Sequence, residues 1–280
     1  ELAQRKAAKA DQIARAYFRV RETQGRMAVA NQSLASQQDN IKTASARFRA
    51  GLAPAYDGNF ARTQSATTTA ALGTAEVDLQ RDLARLGELT GIETQALRES
   101  FGTHLPVQAM PPLPPQDQGG VLALRRADIL ALEQRLRARL MRDGVAQAKV
   151  DAVLAGQART EASETAGAVQ EYANALGAAQ ADVAVALETV QAARKRVQTL
   201  ERAVESARIA LGDTRMAYDS GLDRFVSVYV AESALFDVRQ ALVAAQRAEA
   251  DAFAVYFTAL GGGWQIDPAA AAEVRAHRHE

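Results

Sequence analysis

The sequence predicts an all-α protein made of two duplicated long antiparallel helical hairpins joined by a Pro-rich linker. Two observations carry this. Ile13, Val20, Met27, Leu34, Ile41 and Phe48 are apolar and spaced by seven. Val183, Val190, Val197, Val204, Leu211 and Tyr218 repeat the run at an offset of 170 residues. A sustained seven-residue apolar period is the signature of helices that supercoil left-handedly around partners. The composition agrees. The 280 residues contain only 7 prolines and 5% aromatics, as suits long helices more than a mixed fold.

The first helix is predicted over about 3–49, with Gly25 its only glycine and no proline. At about 1.5 Å per residue it would be roughly 70 Å long, which demands partner helices along its whole length. Its alternate seam positions, Ala16, Ala30 and Ala44, are small. So are Ala186, Ala193 and Ala207 in the second copy. Small residues let helix axes approach, so a helical sheet or barrel fits as well as a two-stranded rope. Gly51 is the expected stop, since glycine tolerates the left-handed conformation past a helix end. Pro54 enforces the break. Asp57 or Asn59 is expected to cap a returning helix that runs to about Leu89, with Leu72, Leu79 and Leu86 on one stripe.

The first hairpin thus occupies 1–92, with its tip at 48–57. Residues 93–120 form the linker, which contains five of the prolines and ends in Gly119-Gly120. Short helices are expected in 121–157, the clearest over about 121–142. The second hairpin fills 158–263: a long helix over about 158–219, a tip at 218–225, and a last helix over about 224–260. Gly261-Gly262-Gly263 ends it, and 264–280 reads as a flexible charged tail. From Gly51 to Gly91 and from Gly221 to Gly261 the distances are equal, so the duplication covers both arms of each hairpin.

Several function classes are disfavoured. The 33 acidic and 33 basic residues cancel and are interspersed, so no global field draws nucleic acid. With no cysteine there is no disulfide or thiolate chemistry. No run of about 18 apolar residues marks a transmembrane helix. The first residues have no signal-peptide pattern, as expected either of a mature chain or of an excised piece. Asp128 and Glu133 lie five apart with no partnering base or nucleophile, so no catalytic residues are assigned. No cofactor and no metal site is expected; His104, His277 and His279 read as solvated, and Trp264 as a packing residue at the last helix end.

Four segments resemble the TolC-like outer-membrane efflux channels, in particular the lipoprotein branch that serves RND pumps. Tyr256-Phe257-Thr258-Ala259-Leu260-Gly261-Gly262-Gly263-Trp264 is similar to that branch's C-terminal signature. Leu124-Arg125-Arg126-Ala127-Asp128-Ile129 is similar to its Arg-Arg-Pro-Asp-Ile segment, with Ala127 in place of proline. Arg47-Phe48-Arg49-Ala50-Gly51-Leu52 and Tyr218-Asp219-Ser220-Gly221-Leu222 are similar to its two hairpin tips.

The resemblance implies a coiled-coil α-barrel protomer that assembles as a homotrimer and acts as a passive exit duct for small molecules or ions. It implies docking of a periplasmic adaptor (membrane fusion) protein at the tips, through Phe48, Gly51, Leu52, Tyr218, Gly221 and Leu222. The adaptor would connect the duct to an inner-membrane RND-type pump, and the location would be the outer membrane, facing the periplasm. An acidic gate near the tips is implied at Asp57, with Asp223 and Arg224 as electrostatic substitutes. Ser227 and Val230 stand where the family usually has aspartates. The family's β-barrel hairpins and lipid-anchor cysteine are not seen in the sequence; the second hairpin would fall at about residue 149. The alternative reading is a barrel-less structural coiled-coil scaffold or soluble interaction module in the periplasm.

Overall fold

The heptad runs become buried helix seams. In the computed structural model, which describes residues 2–102, 113, 124, 126–154 and 163–262, every residue of both runs except Phe48 is buried or half-buried. The elements are α1 (Leu2–Arg49), α2 (Ala55–Thr90), α3 (Thr94–Phe101), α4 (Ala127–Arg142), α5 (Gln147–Leu154), α6 (Ser163–Asp219) and α7 (Phe225–Ala259). No strand occurs among the described residues. Gly25, Gly167 and Gly177 leave α1 and α6 uninterrupted, because a single helical glycine costs only about 1 kcal/mol against alanine and long-range packing outweighs it.

Two expectations change. The linker at 93–120 opens with a helix: α3 follows Gly91 closely and buries Leu97 and Phe101 against Ala16, Val20, Leu83 and Leu86. Its apolar spacing was hidden by the prolines beyond it. Second, α2 starts at Ala55 with Pro54 in the capping position, so neither Asp57 nor Asn59 caps it. Pro54 has extended geometry there (φ −75°, ψ 156°), and its carbonyl accepts the Asp57 amide at 3.2 Å. Apart from Gly102 and Leu113, the rest of the linker lies outside the described residues, as do His104, His277, His279, Trp264 and the 264–280 tail.

The chain divides into two compact units. One contains residues 13–110 and 191–251. Its first hairpin is pinned by polar residues in the heptad seam. Thr23 and Gln37 occupy the register of Ala16, Ala30 and Ala44, and both are buried. Thr23 Oγ1 donates to Asp82 at 2.7 Å, and Gln37 Nε2 donates to Thr68 Oγ1 at 3.0 Å. Each 14-residue step up α1 is matched by the same step down α2, so the two bonds share one antiparallel register. That register sets Ala30 opposite Ala75 and Ala44 opposite Ala61, all four of them buried. A slip along the seam would strand these buried polar groups, which is how a polar seam residue fixes register. At the other end of the hairpin, Arg21 stacks on Tyr17 and Phe101 at 5.3 and 4.6 Å.

The second cluster of this unit packs Ala61, Leu211, Tyr218, Phe225, Val228 and Leu235, with Ile41, Ala207 and Val238 against them. It draws on α1, α2, α6 and α7, so both hairpins share one core there.

The other unit contains residues 1–12, 111–190 and 252–280. Its α4 buries Ile129, Leu136 and Leu140, and α5 buries Val150 and Val153. Arg137 bridges Glu133 at 3.2 Å and Asp151 at 2.8 Å, joining the two short helices. Arg126, from the Arg-Arg segment, holds Asp128 at 2.9 Å and Asp182 of α6 at 2.8 Å. The guanidinium keeps the Asp128 carboxyl below its ordinary pKa. The segment therefore clasps the start of α4 to the second long helix. Helix α5 occupies the position, about residue 149, where the resemblance would put a strand-forming hairpin.

Candidate functional site

The two tips are built alike. At the first, Gly51 has φ 71°, its amide bonds the Phe48 carbonyl at 3.0 Å, and the Leu52 amide bonds the Arg47 carbonyl at 2.8 Å. At the second, Gly221 has φ 73°, its amide bonds Tyr218 at 3.0 Å, and the Leu222 amide bonds Ala217 at 2.8 Å. These paired bonds are the Schellman arrangement, which satisfies the last helix carbonyls and needs a residue at positive φ. The leucine that normally covers the helix end is left in solvent at both tips. Leu52 is 67% exposed and Leu222 is 84% exposed. Two turns with the same geometry thus present one bare leucine each.

The aromatics before the glycines differ. Phe48 is 52% exposed, whereas Tyr218 is 5% exposed. Tyr218 turns inward, edge-on to Phe225 at 5.5 Å, and its hydroxyl donates to Asp57 Oδ2 at 3.2 Å. Asp57 is itself buried in the first turn of α2. The bond therefore ties the first tip to the second. Arg47 reinforces it: its guanidinium sits 4.8 Å over the Tyr218 ring and donates to the Asp219 carbonyl at 2.9 Å. Of the six residues expected at the docking surface, the structure places Phe48, Gly51, Leu52, Gly221 and Leu222 outside and Tyr218 inside.

The three charges expected near the tips take different places. Asp57 is buried on Tyr218. Asp223 is exposed, and its Oδ1 accepts from the Arg224 amide at 2.7 Å and from Ser227 Oγ at 2.9 Å, serving the start of α7. Arg224 is exposed and reaches the Tyr56 hydroxyl at 3.4 Å. Met216, Val226 and Val230 are exposed beside them.

Burial, then the Asp57 charge, then the hydrogen bond to Asp57 push the Tyr218 phenol up to about 12. Tyrosine ordinarily ionises near 10. The stability tied to the protonated phenol is thus fully present below about pH 10 and lost as pH rises through about 12. We expect Tyr218→Phe to remove the latest-titrating component of the phenolate absorbance and to flatten stability over that window. An unchanged titration would show that Tyr218 does not hold Asp57.

Sequence reasoning missed a second polar cluster. Glu232 of α7 is buried between α1 and α6. It accepts from Ser36, from Asn40 at 2.5 Å and from Arg215 at 3.2 Å. Burial pushes its carboxyl above the ordinary range, against the pull of Ser36, Arg215 and Asn40. The available signal was Ser33, Gln37 and Asn40, polar residues at helical spacing beside the apolar run.

Residues 154–262 match the family described as Outer membrane efflux protein. Among curated proteins, the pyoverdine export outer membrane protein OpmQ of Pseudomonas putida is 29% identical over 99 residues, 35% of this chain and 21% of that protein. That match spans about a fifth of the relative's length. Among solved structures, the outer-membrane channel OprN aligns with a TM-score of 0.73 at 21% identity, covering 94% of this chain and 68% of that one. The outer membrane protein VceC of Vibrio cholerae aligns at 0.70 and 20% identity, covering 92% and 71%. At such identities the structures show a shared fold, the helical part of these channels. The family match thus covers less than half of the chain, from the end of α5 through the second hairpin, and the fold is similar to the helical part of these outer-membrane channels.

Proposed function

We propose that this chain forms the periplasmic helical tunnel of an outer-membrane efflux channel, a passive duct in a tripartite export system. Three copies close the tunnel, and a periplasmic adaptor docks on the hairpin tips and links it to an RND-type pump. The observation that carries this reading is the pair of like Gly-Leu turns with bare leucines, in a chain whose second hairpin matches the outer membrane efflux protein family. An exposed leucine on a rigid turn costs solvation unless a partner covers it, and apolar grooves between adaptor helices are suited to do so. Phe48, Leu52 and Leu222 supply the apolar contact, and Gly51 and Gly221 the turn geometry.

The gate lies at the same end. Asp57 and Tyr218 tie the two hairpins within one protomer, while Asp223 and Arg224 supply the exposed charge. The cargo is a small molecule or ion. Sedimentation of the full-length protein in detergent should give a trimer; a stable monomer at micromolar concentration would contradict the tunnel and favour the coiled-coil scaffold.

A further inference from the structure

A cavity of about 320 Å3 opens between α1, α6 and α7. Arg208, Arg215 and Arg239 line it, with Glu232 the single carboxylate in its wall. Ser33, Ser36 and Gln32 add neutral polar groups from α1.

The charges do not balance. Glu232 is engaged by Ser36, Asn40 and Arg215 and Glu205 by Arg208, which leaves two carboxylates for three guanidiniums. Arg215 Nε is buried and has no hydrogen-bond partner among the described residues. Arg208 pairs with Glu205, outside the cavity wall, through Nε and Nη2 at 2.9 and 2.7 Å. Arg239 makes no ion pair among the described residues and meets only the Gln32 side-chain oxygen, at 2.9 Å. Burial, and then the charge of Arg208 close by, lower the Arg239 pKa. Guanidiniums brought together in a partly desolvated space repel one another, and an oxyanion relieves this through short charge-assisted bonds.

We propose that this cavity binds a small oxyanion, a phosphate, sulfate or carboxylate group, held by Arg208, Arg215 and Arg239 with the hydroxyl of Ser33. Such a ligand would touch α1 of the first hairpin and α6 and α7 of the second. It would cross-link the hairpins a short way behind the second tip, and its binding would stabilise the folded chain by mass action.

Titration calorimetry and thermal melting of the full chain test this, using inorganic phosphate, sulfate and citrate against sodium chloride at matched ionic strength. The expected result is saturable binding of one anion per chain, with a rise in Tm beyond that from chloride. Which of the three binds tightest separates the phosphate, sulfate and carboxylate sources. Arg239→Gln should weaken binding at least tenfold. Arg208→Gln, at a largely exposed side chain, should do the same without disturbing a buried group. Arg196→Gln, an exposed control on α6, should leave binding unchanged. Equal effects of chloride and the oxyanions would overturn the proposal, as would binding that survives both Arg208→Gln and Arg239→Gln.

Discussion

Glu232→Ala should destabilise the protein by about 3 kcal/mol, the lower end of the cost of removing one partner from a buried ion pair. The lower end applies because the Arg215 side chain is 36% exposed and regains some water, whereas Glu232 is at 3%. Asn40 and Ser36 would also lose their acceptor, and a buried unsatisfied donor is costly in its own right. Urea unfolding should show a lower midpoint with an unchanged slope. Glu232→Gln keeps an acceptor for these donors and should lose less.

The two variants also separate by pH. The folded-state pKa of Glu232 lies above its unfolded value. The stabilisation tied to its protonated form is therefore full below the unfolded carboxyl pKa and lost as pH rises through the folded one. Glu232→Gln removes that titration, so wild type should gain stability relative to it on acidification. If Glu232→Ala unfolds at the wild-type midpoint, the cluster does not hold the hairpins together.

Leu52→Asp combined with Leu222→Asp should abolish export by the intact channel while leaving its Tm nearly unchanged. Burying one leucine side chain is worth about 1.5–3 kcal/mol, so two lost contacts weaken adaptor binding by about 100-fold or more. Charging them in an apolar groove adds a desolvation penalty. Both leucines are exposed in the chain itself, and such surface changes usually alter stability by no more than about 0.5 kcal/mol. A loss of export with an intact fold is what a docking role demands. Export at wild-type level would remove the leucines from the interface.

The fold was legible because its strongest determinants are periodic. The heptad runs located both long helices, and Gly51 and Gly221 located both tips, since positive φ at a helix end leaves few alternatives to glycine. What the sequence hid depends on which side chains meet across helices. Phe48 and Tyr218 hold equivalent places in the repeat, yet only the tyrosine has a hydroxyl to satisfy a buried Asp57, and it turns inward. Thr23 and Gln37 look like lapses in an apolar seam until Asp82 and Thr68 appear opposite them. Asp57 looked like a helix cap because its place after Pro54 is ambiguous by two residues. The Glu232 cluster joins residues nearly 200 positions apart, a distance over which no local pattern speaks.

The central claim, that the paired Gly-Leu turns are where an adaptor docks, is open to a direct measurement because the chain has no cysteine of its own. A single cysteine at position 52 or 222 of the otherwise intact channel, treated with a short thiol-to-amine cross-linker, should give an adduct with the periplasmic adaptor of its export system. The exposed Ser206 of α6, replaced in the same way, should give none. Adducts from both tips and not from the control are the predicted result. Failure at both tips, or equal yield from position 206, would contradict it.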